Sequence, residues 1–360
     1  MRRTPKENIN QSFINLIRKA HGLIENSDIE KHRHSQDQMG ALFGNSREVA
    51  VTETTVGSMY AEWIRVDRPH SGKKIILYCH GGGYSTGSPL YARTLTTKLA
   101  SQLSMDVFCF DYRLAPEHPY PAAVDDVQAA WDYLMLQGYG AKDIFVAGDS
   151  AGGNLALALG LRLKKQKRML PAGFVLMSPW TDLTVSGKTH ETKADVDPVL
   201  NQNYLNEMIE NYVPQAKKVQ MEAVKTLQET GTIQAAGTLQ EGNTLQTANP
   251  LQTAGTEKQK PGDKSANKVF EEIFDTEYLR NPEISPLFGD FTGFPPTYIQ
   301  VGDLEVLMSD STMLQKKMSG DGVAVSLDTY KNMWHVFQMG PFKTAVEAIH
   351  KCGEFIYSVQ

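Results

Sequence analysis

A mostly parallel α/β sheet with helices on both faces is what this sequence predicts, and three observations carry the prediction. Short continuous apolar runs such as KIILYC and DIFVAG read as strands buried on both faces. Stretches with helical periodicity separate them, which is the alternation of a sheet wound by crossover helices. A chain of 360 residues with 41% hydrophobic content is long enough to bury one large α/β domain or two medium ones.

Taken in order, residues 8–25 place Ile9, Phe13, Leu16, Ile17, Leu23 and Ile24 at roughly helical spacing, predicting an amphipathic N-terminal helix. Two strand-like stretches follow at 47–56 and 58–66. Short apolar strands are expected at 74–79, 106–110, 143–148, 173–178, 297–302 and 323–330. Helices are expected near 90–103, 122–136, 152–166, 309–319 and 341–357.

One segment breaks this alternation. Val213 to Val269 contains no aromatic residue, and residues 226–255 spell five hexapeptides, TLQETG TIQAAG TLQEGN TLQTAN PLQTAG. Hexapeptide periodicity can signal a left-handed β-helix, but five repeats fall short of the roughly three coils that stabilise a solenoid. Its Gln, Thr, Gly and Ala content reads instead as a polar, largely disordered insertion.

Charge and cysteine usage exclude several classes. The net charge of −5 comes without a Lys/Arg stripe interleaved with aromatics, so nucleic acid is not an expected partner. The basic start lacks an apolar segment of secretory length, and no run of about 18 apolar residues occurs, so a soluble cytoplasmic protein without stable membrane insertion is expected. Cys79, Cys109 and Cys352 form an odd set with no CxxC pair, reading as buried thiols rather than a disulfide frame or metal site.

Two glycine-rich stretches carry chemistry. Gly148-Asp149-Ser150-Ala151-Gly152 is a G-x-S-x-G pattern between a predicted strand and a predicted helix. There a serine can sit on a strained turn that only small neighbours tolerate, with the helix N–H groups beside it. The competing reading is a strand-to-helix turn with a capping serine. Upstream, YCHGGGYSTGS puts three glycines directly after a strand, so Gly82 and Gly83, with the N–H of Ala151, can offer three donors to an oxyanion. A phosphate-binding loop is the rival there, but neither G-x-x-x-x-G-K-[ST] nor G-x-G-x-x-G is present.

His335, in KNMWHVFQMG, lies past the serine and at a strand-to-loop boundary, whereas His190 falls in a polar loop and His350 in the terminal helix. The order serine, acid, histidine suits a nucleophile, its orienting carboxylate and a general base. YIQVGDLEVLMSDST offers Asp303, Glu305 and Asp310 as that carboxylate, though acids also suit the first turn of a helix.

Together these stretches make the chain resemble the hormone-sensitive-lipase-like carboxylesterases of the α/β-hydrolase fold, the bacterial family IV with its GDSAG motif. HGGGY at 80–84, DYRLAPEHPYPAAVDD at 111–126, GDSAGGN at 148–154 and SPWTDL at 178–183 carry the likeness, with shorter echoes in NPEISPL at 281–287 and around His335. It spans about residues 50–357 apart from the insertion. The resemblance implies Ser150 as nucleophile, His335 as general base, and Gly82, Gly83 and Ala151 as oxyanion donors. The family's DPLRDE loop, laid without gaps over GDLEVLMSD, puts its Asp on Glu305, with Asp303 the alternative acid and Asp310 third.

It further implies N-terminal cap helices over 1–45, a catalytic core over 46–184 and 286–360, and a second cap segment over 185–285. The insertion, about 215–267, would then interrupt that second cap near the mouth of the site. The expected reaction is hydrolysis of short- to medium-chain esters through an acyl-enzyme, with no metal or organic cofactor, a small-molecule ester as partner and a homodimer through the last strand and helix. The alternatives are deacetylation of sugars or other small molecules by the same residues, or a non-catalytic receptor on the same scaffold, as in the plant gibberellin receptors that resemble this family.

Overall fold

The computed structural model describes residues 14–19, 22, 28–44, 46, 48–68, 73–218 and 266–359. Part of the expected N-terminal helix and the whole hexapeptide repeat lie outside these residues. Eight strands form one sheet: β1 (Val49–Val56), β2 (Met59–Val66), β3 (Ile75–Cys79), β4 (Asp106–Phe110), β5 (Ile144–Asp149), β6 (Gly173–Met177), β7 (Thr297–Gly302) and β8 (Val325–Tyr330). Their order is β1-β2-β4-β3-β5-β6-β7-β8, with β1 and β2 antiparallel and β3 to β8 parallel to one another. The predicted strands agree to within two residues at each end.

The helices follow from local chemistry. α1 (Ile29–Phe43) starts at Asp28, whose carboxylate accepts the Lys31 N–H at 2.9 Å. α2 (Pro89–Leu103) combines a Ser88 cap with proline in its first turn. α3 (Ala122–Leu136) and α4 (Ala151–Lys165) follow β4 and β5. α5 (Thr189–Thr192) and α6 (Gln202–Tyr212) come next, the latter capped by Asn201. α7 (Ala266–Ile273), α8 (Thr276–Leu279), α9 (Met308–Gly320) and α10 (Lys343–Ser358) complete the set described.

β3 and β5 are buried along their whole length, as their continuous apolar runs require. On one sheet face Ile76, Tyr78 and Val107 pack with Leu95 and Leu99 of α2 and Ile349 and Ile356 of α10. All three cysteines are free and buried, and none of the described helices is long and apolar enough to cross a membrane.

The chain divides into two compact units, Met1–Pro214 with Thr276–Gln360, and Gln215–Asp275. In the second, the outgoing and returning segments pair: Lys217 bridges Phe274, and the Lys218 N–H donates to Ile273 O at 2.8 Å. The Phe270 and Phe274 rings lie 4.8 Å apart.

Candidate active site

Parallel register sets Cys79 opposite Gly148, Asp149 opposite Met177 and Gly302 opposite Tyr330. The loops after β3, β5, β6, β7 and β8 therefore leave the same edge of the sheet side by side, where open α/β sheets bind their ligands.

Ser150 joins β5 to α4 with φ 53° and ψ −123°, a backbone region that costs a non-glycine residue about 1–3 kcal/mol. Its neighbours over-determine that turn. The Ser150 N–H donates to Met177 O at 3.0 Å, and its own carbonyl accepts the N–H groups of Gly153 and Trp180, each at 3.0 Å. The flanking glycines have the steric cause their spacing suggested: a Cβ on Gly152 would lie 2.1 Å from Cys79 O, and one on Gly148 2.4 Å from the Gly152 carbonyl.

The HGGG loop is tied to this elbow by the residue before the serine. Asp149 Oδ1 accepts the Tyr78 hydroxyl at 2.6 Å and the Gly81 N–H at 3.0 Å, and burial raises its carboxyl pKa against these stabilising bonds. His80 stacks on Tyr112 with ring centroids 4.0 Å apart and donates from Nδ1 to Gly81 O at 2.8 Å. Burial pushes its pKa down to about 4, so the ring is a neutral structural element. Gly82 and Gly83 have φ of 116° and 60°, and Thr86 O would sit 2.2 Å from a Cβ on Gly82. The N–H groups of Gly82, Gly83 and Ala151 donate to none of the described residues.

His335 Nε2 lies 2.9 Å from Ser150 Oγ, and its Nδ1 lies 3.0 Å from Glu305 Oε2. An ionised carboxylate only accepts, so Nδ1 carries the proton and Nε2 faces the serine as an acceptor. Glu305 is fully buried, and its other oxygen accepts the Ser178 hydroxyl at 2.8 Å and the Gly302 N–H at 2.5 Å. Ser178 Oγ in turn accepts the Val336 N–H at 3.2 Å, joining the loops after β6, β7 and β8 at one atom.

Burial alone would lower the His335 pKa. The Glu305 hydrogen bond and charge, with smaller pulls from the charges of Asp197 and Asp149, outweigh that and leave it raised. Asp197 Oδ2 accepts the N–H of Val306, the residue after Glu305, at 2.8 Å, and burial pushes its pKa up to about 6.

The other acids lie elsewhere. Asp303 Oδ1 accepts the Asn332 N–H at 2.6 Å. Asp310 does fall in the first turn of α9, but its buried carboxylate does more than face the helix dipole. It accepts the N–H groups of Thr181 and Asp182 at 2.9 and 3.0 Å and lies 3.2 Å from His190 Nε2. His190 is buried in α5 rather than placed in an open polar loop, because this carboxylate draws it inward. Sequence reasoning assigned no role to Ser178 or Asp197. The signal for Ser178 was its position directly after β6, at the same sheet edge as Ser150.

Ser150, His335, Gly82 and Gly83 open onto a cavity of about 530 Å³. Its walls are largely apolar, with Val199, Leu205 and Met208 from the segment after α5 and Ile17, Met39 and Phe43 from the N-terminal helical residues.

An α/β-hydrolase-fold family model matches residues 76–241 and 223–339. The chain is 32% identical over 325 residues to an esterase of Acinetobacter venetianus, covering 90% of this chain and 87% of that one. It is 31% identical over 312 residues to an acetyl-hydrolase of Streptomyces hygroscopicus, covering 87% and 83%. Among solved structures, a hormone-sensitive lipase from a metagenome library superposes with a TM-score of 0.73 at 32% identity, over 97% of each chain. The chain belongs to the α/β-hydrolase family, in its hormone-sensitive-lipase-like branch. Within that branch it is a carboxylic ester hydrolase of the serine type.

Proposed function

We propose that Ser150 is the nucleophile, His335 the general base and Glu305 its orienting carboxylate in the hydrolysis of short- to medium-chain carboxylic esters. The continuous chain of contacts from the Ser150 hydroxyl through His335 to buried Glu305, at 2.9 and 3.0 Å, carries this reading. Ser150 Oγ attacks the ester carbonyl carbon while His335 Nε2 takes its proton. The N–H groups of Gly82, Gly83 and Ala151 donate to the oxyanion, each worth a factor of about 100 to 1,000 in kcat. The alcohol leaves with the proton from His335, and water then repeats the path on the acyl-enzyme. Asp303 takes no part, its carboxylate being engaged with Asn332.

Removal of an acetyl group is the same reaction with the smallest common acyl chain, and the Streptomyces acetyl-hydrolase relative favours including it. A receptor without catalysis is disfavoured by the intact Ser150, His335 and Glu305 set. Three free, buried cysteines support a cytoplasmic setting. A homodimer through β8 and α10 is supported by β8 being an outer strand of the sheet, and sedimentation as a monomer at micromolar concentration would remove it.

The test is Ser150→Ala, with its fold checked by circular dichroism, in a p-nitrophenyl ester series from acetate upward. Loss of hydrolysis, together with loss of fluorophosphonate labelling, is expected. A variant that still turns over the acetate and butyrate esters would sink the assignment.

A further inference from the structure

Lys98 stands on α2, with its side chain lining the cavity. Its ammonium nitrogen lies 3.1, 2.7 and 2.9 Å from the carbonyl oxygens of Gln338, Met339 and Gly340. Three protons thus go to one turn, the 3₁₀ turn Phe337–Met339 that begins two residues after His335. The last carbonyls of a short helix lack partners of their own, and a cation suits them.

Among the described residues no carboxylate pairs with this lysine. Burial pushes its pKa down to about 8, so seating a cation here carries a desolvation cost that a methionine of similar length would not. What the cation returns is the fixed position of the turn. Val336, between His335 and that turn, has φ 51° and ψ 42°, a left-handed conformation that a β-branched residue holds only under constraint. Ser178 Oγ grips the Val336 N–H from one side, and Lys98 holds the three carbonyls that follow.

We propose that Lys98 is a positioning residue for the esterase reaction: its grip on the Gln338–Gly340 carbonyls keeps Val336 left-handed and holds the His335 ring between Ser150 and Glu305. The proposal rests on His335 being the general base.

The test compares Lys98→Met, Lys98→Arg and His335→Ala in the full chain, measuring kcat, KM and the pH profile on p-nitrophenyl butyrate alongside thermal melts. Misplacing a base by a fraction of an ångström predicts a fall in kcat of about 10- to 100-fold for Lys98→Met, with KM held within about threefold. The acid limb of the profile moves to lower pH as the His335–Glu305 contact loosens, and Lys98→Arg recovers most of kcat. Lys98→Met with kcat within about threefold of the parent overturns the proposal, as does a loss that arginine does not restore and that leaves the acid limb unmoved. Should Lys98→Met melt below the assay temperature, Lys98→Leu, which likewise removes every N–H donor, is assayed beside the parent at a temperature below its own melting midpoint and judged by the same thresholds. An active His335→Ala overturns the base assignment and this proposal with it. An inactive His335→Ala beside a fully active Lys98→Met overturns this proposal alone.

Discussion

Replacing Glu305 by glutamine keeps the shape of the side chain and changes only what each end can donate. Glu305 Oε1 accepts the fixed Gly302 N–H at 2.5 Å and the Ser178 hydroxyl at 2.8 Å. The amide oxygen of the variant must therefore stay on that side, because turning the NH₂ toward the Gly302 N–H would oppose two donors at a buried site and cost about 1–3 kcal/mol. The amide nitrogen then faces His335 Nδ1, where the carboxylate oxygen sat at 3.0 Å. A donor there drives the imidazole into the tautomer with the proton on Nε2, which points an N–H at Ser150 Oγ in place of a lone pair. A base held in the wrong tautomer loses about 10⁴ in kcat in the serine protease case that defines this effect, equivalent to about 5.5 kcal/mol of barrier. We expect a loss of 10³- to 10⁴-fold, of this order, with an unchanged melting curve and KM near that of the parent. Stopped assays on p-nitrophenyl butyrate at pH 8 measure it, with Asp303→Asn as the control expected to stay within about threefold. A Glu305→Gln variant retaining more than about a tenth of the parent kcat, or an Asp303→Asn variant that loses as much, would refute the reasoning.

The remaining predictions concern the His335 ring, the glycine loop and α1. Burial opposes but does not cancel the pull of Glu305 on the His335 proton, so its pKa stands above the ordinary value. With His335 in its proposed role only the neutral ring can take the serine proton, so kcat/KM is expected to fall as pH drops through a midpoint above about 6.5, and a midpoint below about 6 contradicts the pairing. Gly82→Ala meets the Thr86 carbonyl backbone at 2.2 Å, whereas Gly83→Ala meets the flexible Met208 side chain at 2.7 Å. The first is expected to lose at least about 100-fold in kcat and the second less, and the reverse order in a side-by-side assay would count against these donors. A Cβ on Gly40 of α1 would lie 2.0 Å from Leu90 O at the start of α2. Gly40→Ala should thus lift α1 and lower stability by about 1–3 kcal/mol, with KM rising more than kcat falls; a denaturant titration and a kinetic comparison read both.

Much of this was legible along the chain because it rests on forces acting over a few residues. Continuous apolar runs marked β3 to β7 because a strand buried on both faces tolerates little else, whereas β8, an outer strand, is only half-buried and mixes polar with apolar residues. The glycines around Ser150 were legible for a similar reason, since a Cβ at either one meets backbone at once. α6 was also within reach: Leu205, Met208, Ile209 and Tyr212 stand at helical spacing behind an Asn201 cap. Neighbouring acids were harder to separate. Asp303, Glu305 and Asp310 lie within one short stretch, and no local rule ranks them. Their fates diverge because Glu305 folds back onto the Gly302 N–H, Asp303 turns to Asn332 and Asp310 reaches His190.

The sequence by itself determined the strand and helix alternation, the strained serine turn and the glycine loop able to present free N–H groups, because periodicity and steric exclusion are written in adjacent residues. Only the tertiary structure decided which carboxylate meets His335, that Ser178 joins three loops, and that Lys98 closes on carbonyls some 240 positions away. Those contacts exist because the order of the strands brings their carboxyl ends to one edge, and that order is set by the packing of the whole core.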